Sequence, residues 1–143
     1  MIQTDEQLYR QARIIAERVM GWRLGTELFN DCWMAGDNAM WGENVWNPWM
    51  NEYAALVIAD RLNELGYGVI ITNYAPYDLT MERNYTKKPN KYKVECNYVG
   101  VDEASYRRWR NQYRFEAEHD SRPQAIFLAA AKVAEQMEVE KDG

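Results

Sequence analysis

Residues 113–137 read YRFEAEHDSRPQAIFLAAAKVAEQM, an alternating segment that runs through Ser-Arg-Pro into a long apolar stripe. Phe115 and Ala117 fall on one side of a strand, and Glu116 and Glu118 on the other. Ser121 then sits where a helix N-cap is wanted, two residues before Pro123, whose missing N–H is harmless in a first turn. This is a strand-to-helix joint. The strand is expected over 113–118 and the helix over 122–137, with Ile126, Ala129, Ala130, Val133 and Met137 inward and a charged, disordered tail over 138–143.

Working backwards, Tyr92, Val94, Cys96 and Tyr98 alternate with Lys91, Lys93, Glu95 and Asn97, the pattern of a half-buried strand. Val69-Ile70-Ile71-Thr72 is β-branched and follows Gly66-Tyr67-Gly68, so it suits another strand. Residues 76–89 read as loop or a long hairpin connection, and 101–112 as a short helix or an insertion. Upstream, Asn47-Pro48 is a helix start, and Ala55, Ile58, Leu62 and Leu65 mark that helix's buried side as far as Gly66. Thr4 and Gln7 form a Thr-x-x-Gln capping box for a first helix over 5–20, with Leu8, Ala12, Ile15, Ala16 and Val19 on one face and Gly21 at its end. Three strands with polar outer residues and no helical crossover between them imply an antiparallel sheet. The expected class is α+β, an antiparallel sheet of three or four strands packed with about three helices.

The 143 residues predict a single domain, 1–143, able to bury a core without disulfides or a structural metal. Cys32 and Cys96 are too few and too far apart for a zinc site or a disulfide framework, and a reducing compartment is the simpler reading. A net charge of −5 disfavours bulk nucleic acid, while a local basic patch could still hold a small anion. No leader pattern opens the chain and no apolar run approaches the roughly 20 residues of a membrane helix, so a cytoplasmic location without membrane partners is expected.

Several of these features, at this order and spacing, resemble the small bacteriophage proteins of the phage ABA-sandwich family. They are Val19-Met20-Gly21-Trp22, the Asn47-Pro48 helix start, Leu62-Asn63-Glu64-Leu65-Gly66-Tyr67-Gly68, and the joint from Phe115 to Ala131 with its alanine-rich helix. The resemblance implies a sheet between helical layers and a phage protein acting in the host cytoplasm. It brings no catalytic residues. Residues 23–46 and 99–111 are long insertions relative to that pattern.

Two constellations carry functional readings. Five of the six tryptophans lie from Trp22 to Trp49, in a stretch without periodicity over 22–47. Such rings serve as binding hot spots and base-stacking platforms, or they pin an irregular loop onto a core. Trp33 and Trp41 are expected to be exposed, and Trp46 joins them as a candidate. The second group is basic and aromatic: Lys87, Lys88, Lys91, Lys93, then Tyr106, Arg107, Arg108, Trp109, Arg110 and Arg114. It suits a phosphate or an acidic protein, or it is a solvated face whose lysines blunt a sheet edge.

His119 stands beside Asp120 and near Glu116 and Glu118, but no nucleophile motif, zinc pair, P-loop or dinucleotide fingerprint accompanies it. A turn role is expected. The candidate binding residues are therefore Trp33, Trp41, Trp46, Lys91, Lys93, Tyr106, Arg107, Arg108, Trp109 and Arg110, with no catalytic residue, no metal and no cofactor. The expected function is non-enzymatic binding of a nucleotide-like small anion or a host protein, in the manner of an anti-defence protein. A small nucleotide hydrolase and a homo-oligomeric assembly protein are the alternatives.

Overall fold

The computed structural model describes residues 4–25, 32–36, 38–43, 45–74, 77–79, 85–87, 91–99 and 114–142. Helix α1 (Asp5–Ile14) opens on the predicted capping box: Gln7 N–H donates to Thr4 Oγ1 at 3.2 Å, and Thr4 N–H to Gln7 Oε1 at 3.0 Å. The helix continues into one π-helical turn, Ile15–Val19, whose Ile15, Ala16 and Val19 are all buried. Gly21 then takes a positive φ of 72° and reverses the chain.

The stretch expected to be irregular is instead a meander of β1 (Arg23–Leu24), β2 (Cys32–Ala35) and β3 (Asn38–Gly42), with Gly36 at φ 61° in its second turn. Its registers explain why the sequence hid it. Trp33 pairs with Trp41 but Met34 pairs with Ala39, so Met40 is an extra residue on β3. That bulge breaks the alternation of β3; on β2 Trp33 joins the core cluster, while its neighbour Met34 is buried outside that cluster.

Helix α2 (Glu52–Glu64) starts later than expected. Asn47 O accepts from the N–H groups of Met50 and Asn51 in a preceding turn, and Asn51 is the N-cap, its Oδ1 accepting from Ala54 N–H at 3.0 Å. Leu65 and Gly66, at φ 102°, close the helix and feed directly into β4 (Tyr67–Tyr74). A short pair, β5 (Tyr77–Leu79) and β6 (Tyr85–Lys87), lies inside the region read as loop or long hairpin connection. It is followed by β7 (Lys91–Tyr98), β8 (Arg114–His119) and α3 (Arg122–Asp142). The last helix runs through Asp142, so the tail expected from Glu138 is helical over that length. The ambiguous segment 101–112 lies outside the described residues.

The main sheet has the order β4-β7-β8, antiparallel throughout, and with the meander and three helices among the described residues it makes an α+β fold. Alternation sorts its two faces. Tyr67 and Val69 of β4, Tyr92, Val94 and Cys96 of β7, and Phe115 and Ala117 of β8 form the face packed against α2 and α3, with Val94 and Cys96 wholly buried. Beneath lie Ile58 and Leu62 of α2 and Ile126, Phe127 and Val133 of α3. Arg61 Nε donates to Val19 O at 3.0 Å and Arg18 to Ala134 O at 3.3 Å, so two arginines tie α1's end to the other helices through carbonyls. The opposite face of the sheet carries Ile70 and Thr72, Lys91, Lys93, Glu95 and Asn97, and Arg114, Glu116 and Glu118.

Candidate functional site

The tryptophan expectation is corrected by burial. Trp33 and Trp46 are each 2% exposed and are among the largest enclosed side chains. Trp22 meets Trp46 edge-on at 5.2 Å, and Trp49 meets Phe127 at 5.4 Å. Such contacts serve packing, and a ring with no exposed face cannot stack on a ligand. Trp41 is half-buried and leans on the same core. The rings fill the space between the meander and the helices.

Lys91 and Lys93 both lie half-buried on the open face of the main sheet, and Lys93 has neighbours of opposite sign. Lys93 Nζ lies 3.8 Å from a Glu95 carboxylate oxygen and 3.6 Å from one of Glu116. Beside them Arg114 Nε donates to Asn97 Oδ1 at 3.3 Å. Tyr106, Arg107, Arg108, Trp109 and Arg110 lie outside the described residues, as does most of the 99–111 insertion.

Among the described residues the open face is therefore charge-balanced: Lys91, Lys93 and Arg114 interleave with Glu95, Glu116 and Glu118. This differs from the purely basic surface expected from the lysines and arginines alone. The reason is the period of two, which throws Glu95 onto the same face as Lys91 and Lys93, while register sets Glu118 opposite Lys93 and Glu116 opposite Glu95. Ion pairs as open as those of Lys93 are each worth only about 0–1 kcal/mol, so its ammonium can change partners at little cost.

Glu95, Asn97, Arg114, Phe115 and Glu116 line a concavity of about 400 Å³ on this sheet. It lies over the Asn97–Arg114 end of the β7–β8 ladder, where Glu95 pairs with Glu116 and Asn97 with Arg114. Sequence reasoning chose Lys91 and Lys93 but left out Glu95, Asn97 and Glu116. The alternation that placed the lysines outward contained Glu95 and Asn97, whereas Glu116 joins them through β7–β8 register.

His119 is half-buried, and its Nδ1 accepts the Ser121 N–H at 3.0 Å. That bond fixes the turn before α3 and occupies the ring nitrogen nearest the chain. The Ser121 carbonyl accepts from Ala125 N–H at 2.9 Å, so the β8-to-α3 joint is closed by local bonds. Next to it Arg122 pairs with Glu52, joining the first residues of α3 and α2, and lies 6.0 Å from the centre of the Tyr92 ring.

Among the described residues no helix is long and apolar enough to cross a membrane. The chain matches no family model, no curated protein and no solved structure.

Proposed function

We propose that this is a non-enzymatic binding protein that takes a nucleotide-like anion on the open face of its main sheet. The observation that carries the reading is the concavity over β7 and β8, whose volume of about 400 Å³ suits a small molecule. Its lining supplies both kinds of recognition chemistry. The Arg114 guanidinium offers N–H donors in a planar fork suited to a phosphate. Asn97 can donate and accept, and Glu95 and Glu116 accept from the amino, imino or hydroxyl donors of a base and sugar. Lys93, 3.6 Å from a Glu116 carboxylate oxygen, supplies further positive charge beside it.

The resemblance to small bacteriophage proteins adds the setting: a phage-encoded protein in the host cytoplasm that withholds a nucleotide signal from host immunity. A host protein as partner is the second version. It is favoured by Met50 and Tyr53, which are 72% and 69% exposed beside the start of α2, not by the enclosed tryptophans.

The test is a thermal-shift and calorimetric titration with a panel of cyclic and linear nucleotides. A ligand that binds only the folded state at 100 times its Kd stabilises it by about 2.7 kcal/mol. One nucleotide class should raise the Tm of the wild type and leave Arg114→Gln unshifted, with the variant's circular dichroism unchanged. A panel in which no nucleotide shifts the wild type overturns the nucleotide version.

A further inference from the structure

The two edges of the main sheet are treated differently. Edge strand β8 carries Arg114, Glu116 and Glu118, and Lys132 of α3 reaches round to donate to the Glu116 main-chain carbonyl at 2.5 Å. Charges and a covered carbonyl are ordinary protection against strand-to-strand association. Among the described residues edge strand β4 has neither. From Tyr67 to Tyr74 it reads YGVIITNY, with no charge and no proline, and among the described residues β7 is its one strand neighbour. Ile70 is 51% and Ile71 36% exposed, one on each face of the sheet.

The free groups of this edge can be identified. The Gly66 carbonyl accepts from Val99 N–H at 2.8 Å, which places residue 66 in a hydrogen-bonded pair at the start of the β4–β7 ladder. Antiparallel pairing alternates, so Gly68, Ile70 and Thr72 turn their N–H and C=O groups to β7. Val69, Ile71 and Asn73 turn theirs outward.

We propose that β4 pairs antiparallel with β4 of a second copy, joining two three-stranded sheets into one of six strands. A strand beside its own copy in antiparallel sense requires a two-fold axis normal to the sheet, so facing residues must lie on the same face. Two central registers meet that condition. The one centred on Ile70 sets it opposite Ile70 of the partner subunit on the open face, and Val69 opposite Ile71 of the partner subunit on the helix side. The one centred on Ile71 sets Val69 opposite asparagine. Cross-strand apolar matching selects the first. Self-pairing also fits the charge pattern: two chains of net charge −5 repel, and β4 brings them together along a strand without charge. The inference is independent of what the open face binds.

The full chain is tested by light scattering and sedimentation across a concentration series. Wild type should reach twice the 16.9 kDa chain mass. Ile71→Pro removes an outward N–H while sparing the β4–β7 ladder, and it should stay monomeric with native circular dichroism. Ile70→Lys places like charges opposite each other across the two-fold and should be monomeric too, which keeps the proposal testable if the proline variant fails to fold. In a Cys32→Ser background, Ile70→Cys should cross-link to a dimer on mild oxidation. A wild type that is monomeric throughout, as expected if the edge captures a strand of some other protein, overturns the proposal. So does a dimer that survives Ile70→Lys.

Discussion

Trp33, Trp46 and Cys96 are decided by how completely each leaves water. A tryptophan cluster in a sequence states only that a large apolar area must be placed somewhere, and indoles are at home both in cores and at binding surfaces. Here Trp33 is carried into the core by the pairing of β2, and the extra residue at Met40 breaks the alternation of β3, an arrangement made by strand register and invisible in residue counts. Cys96 was legible as an inward position from the alternation of β7, and its burial has a measurable consequence. Loss of solvent pushes the thiol from 9.0 up to about 12. The unfolded chain therefore releases this proton near pH 9, while the folded chain holds it until near pH 12. Between those values the folded state binds more protons, so stability falls as pH rises through the window, by up to about 4 kcal/mol at its upper end. Urea unfolding at intervals from pH 8 to 11 should show a steeper decline for wild type than for Cys96→Ala, whatever the variant's lower starting stability. Equal slopes would remove Cys96 as the cause.

At the level of elements, signals carried within four residues were readable and those that depend on distant partners were not. The Thr4–Gln7 capping box, the glycine ends of α1 and α2, and the strand-to-helix joint at Ser121 are all local, and each is in place. The strands β4, β7 and β8 were readable because one long uninterrupted side faces a core. The meander was not, because its strands are short and its bulge mixes inward and outward residues. The start of α2 shows a closer contest, since Asn47 and Asn51 are both plausible caps in sequence. Only Asn51 has its side-chain oxygen on a helix N–H, whereas Asn47 uses its main-chain carbonyl in the preceding turn. Asn51→Ala should therefore cost about 1 kcal/mol in chemical denaturation, the usual worth of an N-cap. Asn47→Ala, which keeps the carbonyl, should cost clearly less. The reverse order would put the working cap at Asn47. The candidate site was half readable for the same reason: alternation exposed Lys91 and Lys93, but the neighbours that balance them, Glu116 and Glu118, enter through β7–β8 register.

Over the whole molecule, the main sheet divides the work between its faces and its edges. One face is sealed by α2 and α3, the other holds the concavity, β8 is guarded, and among the described residues β4 has no second strand beside it. Pairing across β4 about an axis normal to the sheet would keep both helical layers on one side and both concavities on the other, so a dimer would present two equivalent sites in one plane. It would also enclose Ile70 and Ile71, and only the assembled state gains that burial. Assembly of this kind makes stability depend on protein concentration, because unfolding releases two chains and mass action opposes it more strongly as the chain becomes concentrated. The Tm of wild type should rise steadily over a hundredfold increase in concentration, and that of Ile71→Pro should not move. A nucleotide bound at the concavity would add a constant increment at fixed free ligand, leaving the concentration slope intact. Ligand stabilisation and self-association are thereby separable in one set of melting curves, and a wild-type Tm that ignores concentration would remove the paired sheet while leaving the binding face in place.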